Sequence, residues 1–209
     1  MMELRVNPTR MELTRLKRRL VTAKRGHKLL KDKQDELIKK FIDMVKQNKE
    51  LREEVERELV QAFKNFTMAR SQMPSKVLEE SLLIPAATVG INIKSQNIMS
   101  VNIPRIVIEK SEVKSLYPYG FSSTSGELDG AISTLAELLP KMLKLAEMEK
   151  ACQLMADEIE KTRRRVNALE YVMIPQLQET IKYITMKLDE NERGNRTRLM
   201  KIKEMVMKG

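Results

Sequence analysis

The stretch LTRLKRRLVTAKRGHKLLKDKQDELIKKFIDMVKQNKELREEV, residues 13–55, decides the fold, because apolar side chains recur in it at alternating spacings of three and four. Such spacing marks one narrow apolar stripe along an α-helix, which must be covered by a second helix. We call the positions of this stripe a seam; they are Leu13, Leu16, Leu20, Ala23, His27, Leu30, Gln34, Leu37, Phe41, Met44, Asn48, Leu51 and Val55.

A second seam in the C-terminal part of the chain supplies the covering helix. It slips by one residue at Pro175, and because proline removes a helical hydrogen bond, we expect a bend or local unwinding there. Its positions are Leu145, Met148, Cys152, Met155, Ile159, Thr162, Val166, Leu169 and Met173 before the slip, and Leu177, Ile181, Ile184, Leu188, Asn191 and Asn195 after it.

The two seams predict an all-α fold class: a long antiparallel two-helix coiled-coil hairpin with a short helix and a small β-hairpin in the connecting segment. We expect an N-terminal coiled-coil helix over 1–70, a connecting segment over 71–127 and a C-terminal coiled-coil helix over 128–209. Thr9, followed three residues later by Glu12, has the spacing of a capping box and predicts where the first helix begins.

The connecting segment changes from helical to strand periodicity. Residues 76–83 predict the short helix, and alternating apolar residues predict a β-hairpin at about 87–109, with a turn at Ser95-Gln96-Asn97. Pro104 cannot donate a hydrogen bond to a neighbouring strand, so we expect it at an edge or a bulge.

The composition favours long helices over a globular core and offers little for catalysis. Aromatic residues make up 4% of the chain, charged residues make up 33%, and Trp is absent. The single histidine, His27, and the single cysteine, Cys152, both fall on a seam, where a structural role is typical. We therefore expect no catalytic residue, no bound metal and no cofactor. No apolar stretch is long enough to cross a membrane, and one cysteine excludes an intrachain disulfide.

Polar residues at seam positions and glycines within the helices each allow two interpretations. His27, Gln34, Asn48, Thr162, Asn191 and Asn195 either fix the register of the paired helices at a cost in stability, or face solvent or a partner. Gly26 and Gly194 either permit a close approach of two helices or are simply tolerated.

The net charge of +10 is concentrated near the two ends of the sequence. Residues 1–31 contain ten Lys or Arg and two Glu, and residues 187–209 contain seven basic and four acidic residues. An antiparallel pairing brings both segments together as one basic surface that attracts an acidic partner. Nucleic acid, anionic lipid and an acidic protein surface all fit the charge alone. A basic coiled-coil hairpin that binds nucleic acid and a coiled-coil scaffold are therefore alternative functions.

Several motifs resemble one family. NPTRMEL at residues 7–13 and RGHKLLKDK at 25–33 resemble the N-terminal part of the D subunit of A/V-type rotary ATPases. RRRVNALE at 163–170, Ile174-Pro175 and ENER at 190–193 resemble its C-terminal part, in the same order and at matching distances. The resemblance extends over residues 1–70 and 128–205.

The resemblance implies a non-catalytic rotor shaft, the central stalk, which transmits torque between the A/B catalytic hexamer and the membrane rotor ring. It implies that both termini enter that hexamer, that the F subunit and a funnel-shaped C/d-type subunit on the membrane ring are further partners, and that neither nucleotide nor nucleic acid binds directly. The implied location is cytoplasmic, peripheral to the membrane and without membrane insertion. The cations of the two basic segments that we expect to bind the A/B head are Arg10, Arg15, Arg18, Arg19, Lys24, Arg25, Lys28, Arg193, Arg196, Arg198, Lys201 and Lys203.

Overall fold

A computed structural model describes residues 6–84, 88–110, 117–120, 122 and 124–208 of the chain. These residues are mostly helical, and the only strands among them form one antiparallel hairpin, so the predicted fold class is confirmed. The elements, in chain order, are α1 (Arg10–Gln72), α2 (Ser75–Leu82), β1 (Val89–Ile98), β2 (Val101–Lys110), α3 (Gly126–Asn167), a π-helical segment (Ala168–Met173) and α4 (Ile174–Lys208).

Helix α1 begins where its capping residue predicts. The backbone N–H of Glu12 donates to Thr9 Oγ1 at 3.2 Å, and the N–H of Leu13 donates to the Thr9 carbonyl at 3.0 Å. These bonds satisfy donors that have no partner within the first helical turn. Thr9 is therefore the residue that starts the helix.

The chain divides into two compact units, each with its own core. Unit 1 comprises Met1–Glu36 and Ile159–Gly209. Its buried cluster contains Leu16 from α1 and Leu177 and Ile184 from α4. Arg10 at the start of α1 forms an ion pair with Glu192 of α4, and His27, further along α1, contacts Glu170 of the π-helical segment, so the two parts of unit 1 run antiparallel.

Unit 2 comprises Leu37–Glu158. Its buried cluster contains Ala69 of α1, Met73 of the link between α1 and α2, Leu78 of α2 and Leu128 of α3. Contacts between charged residues also connect α1 and α3. Lys141 Nζ lies 2.8 Å from Glu54 Oε1 and also bonds Glu58, while Arg52 Nη1 lies 3.5 Å from Glu149 Oε1.

The predicted seam of α1 is buried or half-buried at all thirteen positions. The C-terminal seam is likewise covered, except at Met173, Asn191 and Asn195, which are exposed. The spacing of apolar residues therefore identifies the buried face of each helix well, and it fails only near the π-helical segment and towards the end of α4.

The register slip at Pro175 coincides with the π-helical segment. The N–H of Ile174 donates to the carbonyl of Leu169, five residues earlier, and Pro175 has no N–H to donate. A π-helical turn holds one residue more than an α-helical one, so it accommodates the extra residue of the slip. The expected local unwinding is confirmed.

The β-hairpin is present, but its predicted turn is wrong. Ser95, Gln96 and Asn97 lie within β1, and the chain reverses at Met99 and Ser100, whose φ angles are 52° and 71°. Positive φ at both central residues is the geometry that fits the twist of a two-residue hairpin. The polar residues are tolerated in β1 because every residue of that strand from Val89 to Asn97 is exposed.

This position of the turn also sets the register of the hairpin. Val101 and Ile103 of β2 are buried, and Pro104 lies opposite Ser95. The expectation that Pro104 sits on a strand edge is confirmed, because the sheet has two strands and both are therefore edge strands.

Candidate partner-binding surface

The twelve predicted head-binding residues all lie in unit 1, and all are exposed. Seven lie in the first turns of α1 and five near the end of α4. The structure thus brings the two predicted groups into one compact unit, as antiparallel pairing requires.

Most of these side chains form no ion pair with a described residue. Arg10 forms an ion pair with Glu192, and Arg15 Nη1 lies 3.3 Å from Glu12 Oε1. The others form no ion pair with any residue that the structure describes; they are Arg18, Arg19, Lys24, Arg25, Lys28, Arg193, Arg196, Arg198, Lys201 and Lys203. These guanidinium and ammonium groups are available to carboxylates of another molecule.

An open groove of about 780 Å³ lies between α1 and the segment around the π-helical turn. Its wall on α1 carries four of the predicted cations, Arg10, Arg15, Arg18 and Arg19, and the facing wall is formed by Leu169, Met173 and Leu177. The groove therefore combines positive charge with apolar surface. Sequence reasoning missed it because seam spacing alone does not reveal that the turn leaves Met173 exposed.

The end of α4 carries an apolar surface that was also missed. Six of its apolar side chains are between 57 and 77% exposed: Leu199, Met200, Ile202, Met205, Val206 and Met207. The spacing of Leu199, Ile202 and Val206 is helical and could have identified this face, but the cations between them dominated the interpretation of the sequence. Exposed apolar patches of this kind mark interaction surfaces.

The polar seam residues take different roles. His27 Nε2 lies 3.2 Å from Glu170 Oε2, which joins α1 to the π-helical segment within unit 1. Thr162 is buried, and Asn48 places its Oδ1 atom in the interior of unit 2 without a hydrogen-bond donor. Asn191 and Asn195 are exposed, so for these two the solvent-facing interpretation holds.

The helical glycines do not mark a close helix–helix approach. A Cβ atom added at Gly26 or at Gly194 would meet no heavy atom within 4 Å. Both glycines are therefore simply tolerated, and the close-approach interpretation is wrong.

Within the described ranges, no group of three or more His, Cys, Asp or Glu side chains could hold a metal ion. Cys152 is half-buried, and burial, followed by the nearby charge of Glu149, raises the pKa of its thiol. No helix among the described residues is long and apolar enough to cross a membrane.

Comparison with known proteins gives one consistent result. The sequence model of the family of ATP synthase D subunits matches residues 12–204. The V-type ATP synthase D subunit of Thermoanaerobacter pseudethanolicus is 78% identical over 204 residues, covering 98% of each chain. The protein of the same name from Acetivibrio thermocellus is 64% identical over 206 residues, covering 98% of this chain and 93% of its own. The one from Clostridium botulinum is 62% identical over 208 residues, covering 98% and 96%.

Proposed function

The chain belongs to the family of ATP synthase D subunits, and from this premise we propose that it is the central-stalk component of a V-type ATP synthase. In this role it transmits torque between the A/B catalytic hexamer and the membrane rotor ring. It performs no catalysis itself, and it works during ion pumping driven by ATP hydrolysis or during ATP synthesis driven by ion flow.

The observation that carries this proposal is the uncovered end of α4. Every residue from Arg193 to Met207 is exposed, although the backbone stays helical to Lys208. An isolated helix of this length is marginal in water, and its exposed apolar residues favour a partner that covers them. The interleaved cations favour carboxylates on the same partner. We therefore propose that an acidic surface with an apolar centre, on the A/B head, encloses this segment.

The chemistry of the α1 cations suits a contact that has to be remade during rotation. Exposed pairs between Lys or Arg and carboxylates contribute little each, about 0–1 kcal/mol, and tolerate varied geometry. A ring of such contacts supports the shaft without locking it in one orientation. Paired helices in each unit supply the stiffness that a single helix lacks.

The remaining partners follow from the family resemblance. We propose that the F subunit and the funnel-shaped C/d-type subunit bind other parts of the chain. The protein then lies in the cytoplasm, at the periphery of the membrane, as a component of the membrane-bound complex.

The test is binding to an A–B hexamer. The full chain, together with the F subunit, is added to purified hexamer at low salt, and the assembly is followed by native mass spectrometry. We expect a complex with the wild-type chain and at least about tenfold weaker binding when Arg15, Arg18 and Lys201 are all changed to Glu.

A matched control reverses three exposed cations of unit 2: Lys40→Glu, Lys64→Glu and Arg70→Glu. This control should bind the hexamer like the wild type, and circular dichroism should remain helical for both variants. Equal weakening by the two variants would assign the effect to net charge rather than to unit 1. Absence of a complex with the wild-type chain would overturn the proposed function, and salt-sensitive binding of RNA in its place would favour the nucleic-acid alternative.

A further inference from the structure

The two outer edges of the β-hairpin differ in how they are covered. The closing pair of a two-residue hairpin is hydrogen-bonded, and bonded and non-bonded pairs then alternate along the ladder. Counting from the closing pair Ile98–Val101, the pairs Ser95–Pro104 and Ile93–Ile106 are non-bonded. Backbone groups in non-bonded pairs point away from the partner strand.

The outer edge of β2 is closed at these two positions. Pro104 has no N–H to offer, and the outward N–H of Ile106 donates to the Glu147 carboxylate of α3 at 2.8 Å. A proline and a covering side chain are both known means of blocking a strand edge against further pairing. The hairpin is therefore attached to unit 2 through its β2 side.

The outer edge of β1, which we call the β1 edge and define as Val89–Asn97, is open. By the same alternation, the outward N–H and C=O groups belong to Val89, Ile91, Ile93, Ser95 and Asn97. All residues of the β1 edge are exposed, and none of these backbone groups bonds any residue in the described part of the chain. The strand contains no proline and no bulge. Such an edge is a template for one more strand.

The side chains of the β1 edge are apolar on one face. Val89, Ile91 and Ile93 are 42, 51 and 66% exposed. They share that face with Ile106 and Ile108, which pair with Ile93 and Ile91 and are half-buried. A two-stranded ribbon is marginally stable in water, so a third strand paired with β1, with apolar side chains beside those of Ile91 and Ile93, would stabilise the hairpin.

The other face of the hairpin carries an uncompensated pair of positive charges. Lys94 lies directly opposite Arg105 in the register. Both side chains are exposed, and neither forms an ion pair with a described residue. Like charges directly opposite one another are unfavourable in a sheet, and a carboxylate placed beside them would remove the repulsion.

We propose that the β1 edge binds an extended strand of another subunit of the complex. The added strand pairs with the outward backbone groups, places apolar side chains against Ile91 and Ile93, and brings a carboxylate beside Lys94 and Arg105. Strand addition of this kind takes its affinity from main-chain hydrogen bonds and its specificity from alternate side chains. A second copy of this chain fits poorly, because it would bring a second Lys94–Arg105 pair and a further net charge of +10. The identity of the partner as a subunit rests on the proposed function.

The test compares two substitutions at one position, Ile93→Pro and Ile93→Thr. Proline removes one outward N–H while leaving the ladder to β2 intact, because Ile93 does not bond β2. Threonine keeps the N–H and the preference for extended structure. Dissociation constants of the full chain are measured for the purified A, B, F and C/d-type subunits. We expect Ile93→Pro to weaken binding to one of them at least about tenfold and Ile93→Thr to change it by less than about threefold.

Two further measurements keep the test decisive. Hydrogen exchange of the wild-type chain should slow at Ile91, Ile93 and Ser95 in the complex. If Ile93→Pro unfolds the hairpin, the pair Lys94→Glu and Arg105→Glu takes its place, and it should weaken the same interaction.

The inference is overturned if the substitutions at Ile93, Lys94 and Arg105 leave every dissociation constant unchanged, or if Ile93→Pro instead abolishes self-association in sedimentation. If these variants bind the purified subunits as the wild-type chain does, this inference is overturned but the proposed function is not. Failure of the wild-type chain to bind any of the purified proteins overturns the proposed function as well.

Discussion

Asn48 occupies a seam position of α1 in unit 2, where an apolar residue would pack better. Its buried Oδ1 atom accepts no hydrogen bond from a described residue. A buried acceptor without a donor costs free energy, and a polar residue in a helical seam can in return exclude other registers. At Asn48, stability and register are therefore opposed.

We predict that Asn48→Leu raises the free energy of unfolding by about 1 kcal/mol, because it removes the orphan acceptor and adds apolar surface to the seam. Chemical denaturation of the full chain measures the change. The control is Asn191→Leu at an exposed seam position. This substitution should change the free energy of unfolding by less than about 0.5 kcal/mol. A lower free energy of unfolding for Asn48→Leu would mean that the Asn48 amide forms a stabilising hydrogen bond in the folded protein.

Individual side chains could be placed from the sequence only where burial follows periodicity. Leu16 and Ile184 are buried as their spacing predicts. The contact of His27 with Glu170 could not be predicted, because it depends on which turn of the C-terminal helix faces α1. The same reasoning at residue level singled out the exposed cations of α4 but missed the exposed Ile202 and Val206 between them.

At the scale of elements, Lys141 joins α3 to α1 directly after Pro140, which α3 accommodates without interruption. The hydrogen bond from Lys141 lowers the pKa of Glu54, and the bonds to Glu54 and then Glu58 raise the pKa of Lys141. A lowered carboxyl pKa contributes stability that is complete above the ordinary value of 4.5 and is lost as the pH falls through the folded-state value. The raised Lys141 pKa contributes stability that is lost only as the pH rises through its own folded-state value.

We therefore predict that Lys141→Met makes the melting temperature less sensitive to acid, with a smaller fall between about pH 6 and pH 3 than in the wild type. Thermal denaturation at a series of pH values measures this. Lys150→Met is the matched control, since the Lys150 ammonium contacts the neutral Gln153. Parallel curves for the wild type and Lys141→Met would show that the contacts of Lys141 with Glu54 and Glu58 do not couple to folding.

The π-helical segment leads to a second prediction for an element. Deleting Ala168 removes the extra residue, so the segment should become α-helical, with a change of less than about 1 kcal/mol in the free energy of unfolding. Inserting one alanine after Ala168 should instead rotate Leu177 and Ile184 by about 100° away from α1. Each such side chain contributes about 1.5–3 kcal/mol by its burial, so the insertion should cost several kcal/mol.

Chemical denaturation of the two variants side by side checks this. Equal losses for deletion and insertion would mean that the π-helical segment does not set the register of α4.

The long helices were predictable because a seam of many turns repeats one signal, whereas the hairpin turn was not. Ser95-Gln96-Asn97 is a typical turn sequence, and the reversal occurs at Met99-Ser100 because that register buries Val101 and Ile103. Tertiary contact outweighed local propensity there. The groove beside Met173 was equally inaccessible to sequence reasoning, since it forms only when a π-helical turn meets α1.

At the scale of the whole molecule, nearly all of the net charge belongs to one unit. Unit 1 contains 23 Lys or Arg and 12 Asp or Glu, a charge of +11, and unit 2 contains 16 and 17, a charge of −1. Both termini contribute to unit 1, which is why the two basic segments of the sequence lie in the same unit. Unit 2, which carries the hairpin, is close to neutral as a whole, so any attraction of an acidic group there is local.

We predict that binding to the A–B hexamer weakens roughly tenfold between about 0.05 and 0.5 M salt, because exposed charges are screened over a few ångströms at high ionic strength. Titration calorimetry at several salt concentrations measures the dependence. The variant with Arg15, Arg18 and Lys201 changed to Glu should show a flatter dependence than the wild type. A salt-independent affinity would leave the apolar end of α4 as the main source of binding.

The half-buried Cys152 makes this chain suited to site-specific labelling. The chain contains no other cysteine. Burial raises the pKa of the Cys152 thiol, so little reactive thiolate is present there near neutral pH. A new cysteine at an exposed site such as Ser100 in the hairpin turn would therefore react with a maleimide fluorophore well before Cys152 does. One dye per molecule, placed at a known position, would let polarised fluorescence follow the orientation of single molecules in the assembled complex without any background substitution.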